Sequence, residues 1–363
     1  MCARKPPPAR ELSSAQPRIV DRGIQRASAI LLKANVTQST HHRQPFVLAT
    51  AVLAAICLAG CGLQSAAVGT ADRSFTVSGP VHVELTNGSG DCRVTAGPSG
   101  EVRIHAQFHV RAWPWENAQR RLSEIESNPP ISQEANLIRI GSSGWVMQNI
   151  SVDYTVTVPA DSAMHGVSGS GDTEVAGISG PVNFTVGSGS ISATNIADDT
   201  RTIVGSGNVT LTNMQGQLDV TTGSGDLAIV RPRGEVHLRA GSGDIRIEKP
   251  GSDVEAVGAS GDIAVTDPGG DLRLRTGSGD ISVNGNPGPE SDWDIRAGSG
   301  DVKLQLPSSA SFRFYGRSRS GDINVAIPAV TEGDAGKHEM RARIGDGKAR
   351  VEVQTSSGDI SIH

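Results

Sequence analysis

A phrase of the form Gly-Ser-Gly-Asp recurs along this chain and supplies its largest set of side chains that could do chemistry. The fourth position of the phrase falls at 172, 190, 208, 226, 244, 262 and 280, so these copies are 18 residues apart, and two more follow after steps of 21. Carboxylates repeated in this way could bind calcium, act in pairs in sugar hydrolysis, or cap the backbone of a tight turn. The aspartates concerned are Asp91, Asp172, Asp226, Asp244, Asp262, Asp280, Asp301, Asp322 and Asp359.

The two copies that lack aspartate favour the capping role. Ser190 and Asn208 stand in its place, and serine, asparagine and aspartate share the ability to hydrogen-bond backbone, whereas only aspartate carries a charge. Calcium is the alternative, although calcium-binding Gly-Asp repeats recur at half this period. Carboxylate pairs on nearly every coil single out no acid or nucleophile, and the scattered histidines suggest no metal site. The sequence therefore predicts turn-capping aspartates, no catalytic residues and no cofactor.

The fixed period predicts the elements that hold these aspartates. A repeat of this length is typical of a solenoid, in which each coil buries its apolar face only against its neighbours. Apolar residues alternate with polar ones on both sides of the phrase, which is the pattern of a strand with one buried face. We expect an all-β fold, a β-solenoid (β-helix) of about 18-residue coils. Its inner column is predicted to run through Ile191, Val209, Leu227, Ile245, Ile263, Ile281, Val302 and Ile323.

An arginine stripe is the candidate binding surface. Arginine stands five residues before the repeat aspartate in four coils, on the outward face of the strand. The last three members are predicted to lie on consecutive coils, about 5 Å apart, where they could meet an acidic glycan; a plain solvated face is the alternative. The stripe comprises Arg239, Arg275, Arg296 and Arg317.

Outside the regular repeat, the chain divides into further segments. Residues 74–160 are predicted to form a strand-rich N-terminal section with one helix over 116–127, and residues 161–363 the repeat solenoid continuous with it. Near the C-terminus, Met340–Ile344 and Ala349–Val353 flank a Gly-Asp-Gly turn and predict a closing hairpin before the last phrase.

The first 60 residues indicate where in the cell the protein is located. An apolar run ends in Leu58-Ala59-Gly60-Cys61, a pattern that resembles the bacterial lipobox, whose cysteine is lipidated. We interpret residues 1–60 as a leader with a lipoprotein signal peptide, Cys61 as the lipidated residue and 61–73 as a tether. This predicts a lipid-anchored protein of the bacterial cell envelope. Because Gly62 is not acidic, the outer membrane is favoured if the cell has two membranes.

The net charge of residues 61–363 argues against a nucleic-acid partner. Residues 1–60 hold eight basic and two acidic residues, so the rest of the chain carries 25 basic and 36 acidic residues, a net charge of about −11. A nucleic-acid partner is therefore not expected. Cys92 follows a phrase at a position that isoleucine or valine occupies elsewhere, so it is predicted to be a small buried hydrophobe.

Over residues 74–363 the repeated phrase, together with the segment ending Val156-Thr157-Val158-Pro159, resembles the bacterial putative-adhesin family, a domain of unknown function with Gly-Ser-Gly-Asp-Ile repeats. The resemblance implies a β-solenoid and supplies no catalytic residues. It favours a non-enzymatic envelope module that binds a surface protein or polysaccharide or acts as a spacer. A surface sensor for envelope stress or signalling and a polysaccharide-active β-helix enzyme are the alternatives.

Overall fold

The computed structural model describes residues 65–112, 114–142, 147–332 and 336–363. Cys61 and the leader 1–60 lie outside the described residues. Two long sheets dominate the fold, one of 14 strands (sheet A) and one of 15 strands (sheet B). Most neighbouring strands are parallel, and inward-facing apolar side chains of both sheets form one continuous core. The predicted β-solenoid is confirmed.

In its described residues, the N-terminal section has seven strands and one helix. The predicted helix over 116–127 is confirmed and begins one residue earlier. Sheet A receives β1, β3, β4 and β7, and sheet B receives β2, β5 and β6. The elements are β1 (Ser65–Thr76), β2 (His82–Ser89), β3 (Cys92–Gly97), β4 (Glu101–Ala112), α1 (Trp115–Ser127), β5 (Ile131–Glu134), β6 (Leu137–Gly141) and β7 (Ile150–Pro159).

The tether predicted for 61–73 is wrong from residue 65 onward. Strand β1 pairs antiparallel with β4 along its whole length, and Ala67 and Ala71 are buried. The run of small residues reads as a linker in the sequence. Its small side chains are instead required because α1 packs across β1, and a Cβ on Gly69 would overlap Glu126.

The regular coils follow one plan. Each supplies a longer strand to sheet B and a shorter strand to sheet A, with the phrase at the bend between them. Successive strands pair in parallel at a residue offset of 18, or 21 for the last step. Sheet B contains β8 (Ala163–Ser170), β10 (Val182–Ser188), β12 (Thr200–Ser206), β14 (Leu218–Ser224), β16 (Val236–Ser242), β18 (Val254–Ser260), β20 (Leu272–Ser278) and β22 (Asp292–Ser299). Sheet A contains β9 (Thr173–Ala176), β11 (Ile191–Ile196), β13 (Val209–Met214), β15 (Leu227–Val230), β17 (Ile245–Glu248), β19 (Ile263–Thr266), β21 (Ile281–Asn284) and β23 (Val302–Gln305).

The bend depends on the second glycine of the phrase. Gly225, for example, has φ +130°, and a Cβ there would overlap the carbonyl oxygen of Gly207 on the preceding coil. Glycine is therefore required by both conformation and space. The first glycine is less restricted, because Ala259 takes its place in one coil.

The C-terminal section stacks out of chain order. It comprises β24 (Phe312–Ser318), β25 (Ile323–Val325), β26 (Val330–Thr331), β27 (Glu339–Ile344), β28 (Ala349–Ser357) and β29 (Ile360–Ile362). The last coil, β28 with β29, lies between the coil of β22 and β23 and the coil of β24 and β25.

This insertion corrects two predictions. The hairpin of Met340–Ile344 with Ala349–Val353 is wrong, because β24 lies between β27 and β28 and pairs with both. The inner column does not pass directly from Val302 to Ile323, since Ile360 pairs with both residues. The local strand pattern was recognisable, but the partner of each strand depends on distant residues.

The N-terminal section contains a matching insertion. Strands β2 and β3 stack directly on β8 and β9, while β6 and β7, which come later in the chain, form the coil outside them. Within the described part of the chain, no helix is both long and apolar enough to span a membrane.

Candidate functional site

The repeat aspartates form a ladder along one edge of the solenoid. In each regular coil from Asp226 to Asp280, the Oδ1 atom accepts a hydrogen bond from the backbone N–H of the equivalent residue on the next coil, at 2.8–3.0 Å. Asn208 accepts the same bond with its amide oxygen at 2.9 Å. The side chains therefore link neighbouring coils, whereas the sequence suggested bonds within one turn.

At both ends of the ladder the hydrogen bonds join coils that are neighbours in the stack, even where these coils are not consecutive in the sequence. Asp301 accepts from Asp359, and Asp359 accepts from Asp322. At the other end Asp91 accepts from Asp172, and Asp153, which stands outside the phrase, accepts from Asp91. Among the described residues, no group of three or more histidine, cysteine, aspartate or glutamate side chains is placed to hold a metal ion.

The predicted arginine stripe is not continuous. Val257 lies between Arg239 and Arg275 in the outward column of sheet B. Arg275 and Arg296 are direct neighbours, but Gln354 lies between Arg296 and Arg317. The prediction that the last three arginines lie on consecutive coils is wrong, because the last coil inserts between the second and third.

The insertion creates a cleft that the linear stripe would lack. Arg296, Arg317 and Arg319 line it together with the polar side chains of Gln354 and Ser356, and its volume is about 250 Å³. We call it the arginine cleft. It lies across β22, β28 and β24 on the outer face of sheet B.

The arginine cleft has an excess of positive charge. Arg296 donates to Asp294 at 2.8 Å, and Arg275 contacts the same carboxylate at 3.5 Å. Arg317 and Arg319 are exposed, and neither has an ion-pair partner within the described ranges. Two guanidinium groups are therefore available to a ligand, and guanidinium recognises carboxylate, sulfate or phosphate through paired N–H donors.

A second cleft of about 520 Å³ lies on the same face. We call it the tyrosine cleft, because the Tyr315 side chain on β24 lines it; Phe314, which also borders it, is buried. Arg341 lies over the Tyr315 ring at 5.2 Å from its centroid. The remaining charged side chains that line it are Arg313, Glu332, Arg350 and Glu352.

Several residues of these clefts were missed in the sequence. Arg319 occupies the position of the first glycine of the phrase, and Ser356 occupies the same position in the last coil. These two departures from the repeated phrase could have identified both positions from the sequence. Arg313 and Arg341 gave no comparable signal, because their proximity depends on the antiparallel pairing of β27 with β24.

Cys92 is buried, as predicted, with 2 % of its surface exposed. Burial raises the pKa of its thiol to about 11, so the thiol is protonated at neutral pH and unsuited to nucleophilic chemistry. Burial also raises the pKa of the neighbouring Tyr154 hydroxyl.

Solved structures that match the chain include three bacterial proteins. A putative cell adhesion protein from Clostridium sporogenes is 13 % identical over 81 % of this chain and 99 % of its own, with a TM-score of 0.19. A putative adhesin from Bacteroides fragilis is 12 % identical over 81 % of this chain and 97 % of its own, with a TM-score of 0.29. A putative lipid binding protein from Parabacteroides distasonis is 10 % identical over the same shares, with a TM-score of 0.28.

No curated protein matches the chain. The family model Toastrack DUF4097 matches residues 149–259 and 257–363, which together make up more than half of the chain. The match covers the coils of the ladder other than that of Asp91, together with the C-terminal insertion and the arginine cleft. The resemblance to the adhesin-like solenoids with Gly-Ser-Gly-Asp repeats is thereby confirmed, and the protein belongs to the Toastrack DUF4097 family.

Proposed function

We propose that this protein is a non-enzymatic module of the bacterial cell envelope that binds an acidic surface polysaccharide through the arginine cleft. The observation that carries the proposal is the pair Arg317 and Arg319, which converge with Arg296 in one cleft without ion-pair partners among the described residues. Binding of an anionic group by cations on a rigid sheet requires less ordering of the backbone than binding by a flexible loop.

The repeat aspartates support a non-enzymatic role. Their Oδ1 atoms accept backbone N–H groups of the next coil, so they maintain the stacking of coils. The carboxylates of successive coils have similar surroundings. No neighbouring pair among these repeat aspartates therefore has the two different environments that would make one carboxyl group an acid and the other a nucleophile. Calcium is not needed to explain the ladder, because a backbone N–H already satisfies one carboxylate oxygen of every repeat aspartate except Asp322, which ends the ladder.

The leader supports the cellular location. The lipobox pattern ending at Cys61 favours lipid attachment, and Gly62 favours the outer membrane in a cell that has two. In this arrangement the lipid anchors the N-terminal end, and the arginine cleft belongs to the opposite end of the stack of coils. The cleft would then be displayed away from the anchor.

The binding proposal can be tested on residues 62–363, which form one compact unit. We expect saturable binding to acidic glycans on an array, weakened by salt because the contacts are between exposed charges. The double variant Arg317→Gln/Arg319→Gln should lose at least tenfold in affinity. Binding only to neutral glycans, or no binding at all, would count against the proposal.

A matched control removes the same charge elsewhere. Arg201→Gln/Arg246→Gln changes two exposed arginines on other coils and should leave the affinity unchanged. If both double variants weaken binding equally, net charge rather than the arginine cleft governs it.

Lipid attachment is tested separately in cells. Metabolic labelling with a palmitate analogue should modify the full-length chain, and Cys61→Ala should abolish the label and release the protein from membranes. Cys57→Ala, within the same apolar run, should keep both. Labelling that survives in the Cys61→Ala variant contradicts the anchor.

A further inference from the structure

The two clefts are connected through a single strand. Arg313, Tyr315 and Arg317 alternate on the outward face of β24, and Arg319 follows directly after the strand. Arg313 lines the tyrosine cleft, and Arg317 lines the arginine cleft. Four residues of strand separate these two positions by roughly 13 Å.

We infer that the two clefts form one groove along β24, which binds a linear acidic polysaccharide through anionic groups roughly 13 Å apart. This inference rests on the proposed function and specifies its ligand as a chain that occupies both clefts together. Arg317 and Arg319 take one anionic group, and Arg313 takes the other.

Arg313 is suited to that role by its surroundings. Arg350, on the neighbouring strand, is already engaged by Glu352 and Asp292, and Arg343 is engaged by Glu332. Arg313 is exposed and has no ion-pair partner in the described portion of the chain. It is therefore available to the ligand, as Arg317 and Arg319 are in the other cleft.

The acceptors in the groove indicate a sugar rather than a bare polyanion. Glu332 and Glu352 line the tyrosine cleft, and Gln354 lies beside the arginine cleft. Their oxygens can accept hydrogen bonds from hydroxyl groups but would repel a dense row of phosphates. A chain with hydroxyl groups between its acidic groups fits both sets of side chains.

The same features disfavour single-stranded nucleic acid. Binding of such strands relies on several aromatic platforms for stacked bases. Two aromatic residues line the tyrosine cleft, Phe314 and Tyr315, and Phe314 is buried, so Tyr315 is the one with an accessible ring. One face of that ring is already covered by Arg341.

The test measures how affinity depends on ligand length. Hyaluronan oligosaccharides of two, four and six sugars, which carry one carboxylate in each pair of sugars and hydroxyl groups between them, would be titrated into the full chain, purified in detergent, by isothermal calorimetry. A disaccharide is too short to reach both clefts. We expect the hexasaccharide to bind at least tenfold more tightly than the disaccharide, because the second contact becomes intramolecular.

Variants separate the two clefts. Arg313→Gln should reduce the hexasaccharide affinity to about that of the disaccharide and leave disaccharide binding unchanged. Arg317→Gln/Arg319→Gln should reduce both. Because all three side chains are exposed, thermal melting should show that the variants keep their fold.

The outcomes are distinguishable. Affinity that is independent of length and of Arg313 would overturn the groove and leave the arginine cleft as the site. No binding at any length would count against the proposed function itself. Tighter binding to single-stranded DNA of similar length would overturn the choice of a polysaccharide.

Discussion

The regular coils and the two ends of this solenoid use the same phrase but differ in how chain order relates to stacking order. Between β8 and β23 each coil stacks on the one that follows it in sequence. At each end a coil that is distant in sequence lies between two others: β2 with β3 at the N-terminal end, and β28 with β29 at the C-terminal end. The middle is held by near-neighbour contacts and the ends by long-range ones.

Because of this difference in stacking order, the regular coils and the ends have different structural roles. A uniform array depends only on contacts between adjacent coils, so one coil more or less changes its length and little else. An inserted coil ties its neighbours together, and at the C-terminal end it also separates Arg296 from Arg317 and so forms the arginine cleft. In this molecule, regularity supplies a rigid support, and the candidate binding site arises where regularity is broken.

The largest expected effect comes from deleting the inserted coil by ending the chain at residue 347. Val351, Val353, Ile360 and Ile362 are fully buried, and losing their burial costs about 10 kcal/mol. That is similar to the whole stability of a typical domain. We expect loss of cooperative unfolding or aggregation, measured by circular dichroism melting and light scattering.

The matched control deletes one regular coil, residues 227–244, which joins Asp226 to Ile245 in the original register. This shorter chain should fold and melt a few degrees lower. If the truncated chain instead melts like the full one, the coil of β24 must be able to stack directly on that of β22, and the inserted coil is dispensable.

A smaller effect distinguishes the two glycines of the phrase. Gly225→Ala introduces a Cβ at φ +130° that overlaps the Gly207 carbonyl oxygen, and we expect a loss of about 3 kcal/mol in unfolding free energy. Gly223→Ala should cost about 1 kcal/mol: its Cβ would lie 2.6 Å from the Gly205 carbonyl oxygen, but the φ of Gly223 is not positive, and Ala259 shows that the position accepts a methyl group. Urea titrations of both variants would check this, and equal costs would contradict the assigned role of the second glycine.

The hydrogen bond from aspartate to the next coil occurs both in the regular coils and at the C-terminal end of the solenoid, so its contribution to stability can be compared between the two. Asp244→Ala and Asp359→Ala each remove an acceptor for the N–H of the next coil, with an expected cost of about 1 kcal/mol. Asp244→Asn should cost almost nothing, because Asn208 already makes this bond. A cost for the asparagine variant as large as that for alanine would indicate that the charge, and therefore a bound cation, is what matters.

Much of the solenoid was predictable because its information is local. The 18-residue period defined the coils, and the alternation of residues identified the inward column from Ile191 to Val302. The insertion of β28 with β29 was not predictable, because the last coil carries the same phrase as the others. Nothing local indicates that Ile360 pairs with both Val302 and Ile323.

The candidate site was likewise predictable only where the information is local. Arg296 and Arg317 were identified from the repeat, but their separation by Gln354 was not. Arg319 was detectable as an exception to the phrase, whereas Arg313 and Tyr315 became relevant only through the position of β27. Strand-to-strand order, rather than strand identity, is what the single sequence did not determine.

The smallest expected effect is a stabilisation within the regular coils. The Thr222 hydroxyl is buried and has no hydrogen-bond partner among the described residues, and its neighbour in the inward column is Val204. Thr222→Val keeps the shape and removes an unsatisfied polar group, so it should raise the unfolding free energy by about 1 kcal/mol. Thr276→Val is the matched control: its hydroxyl donates to the Gly261 carbonyl at 3.1 Å, so its loss should lower stability by about as much. Denaturant midpoints that shift in the same direction for both variants would show that coil-to-coil packing, and not hydroxyl pairing, controls this column.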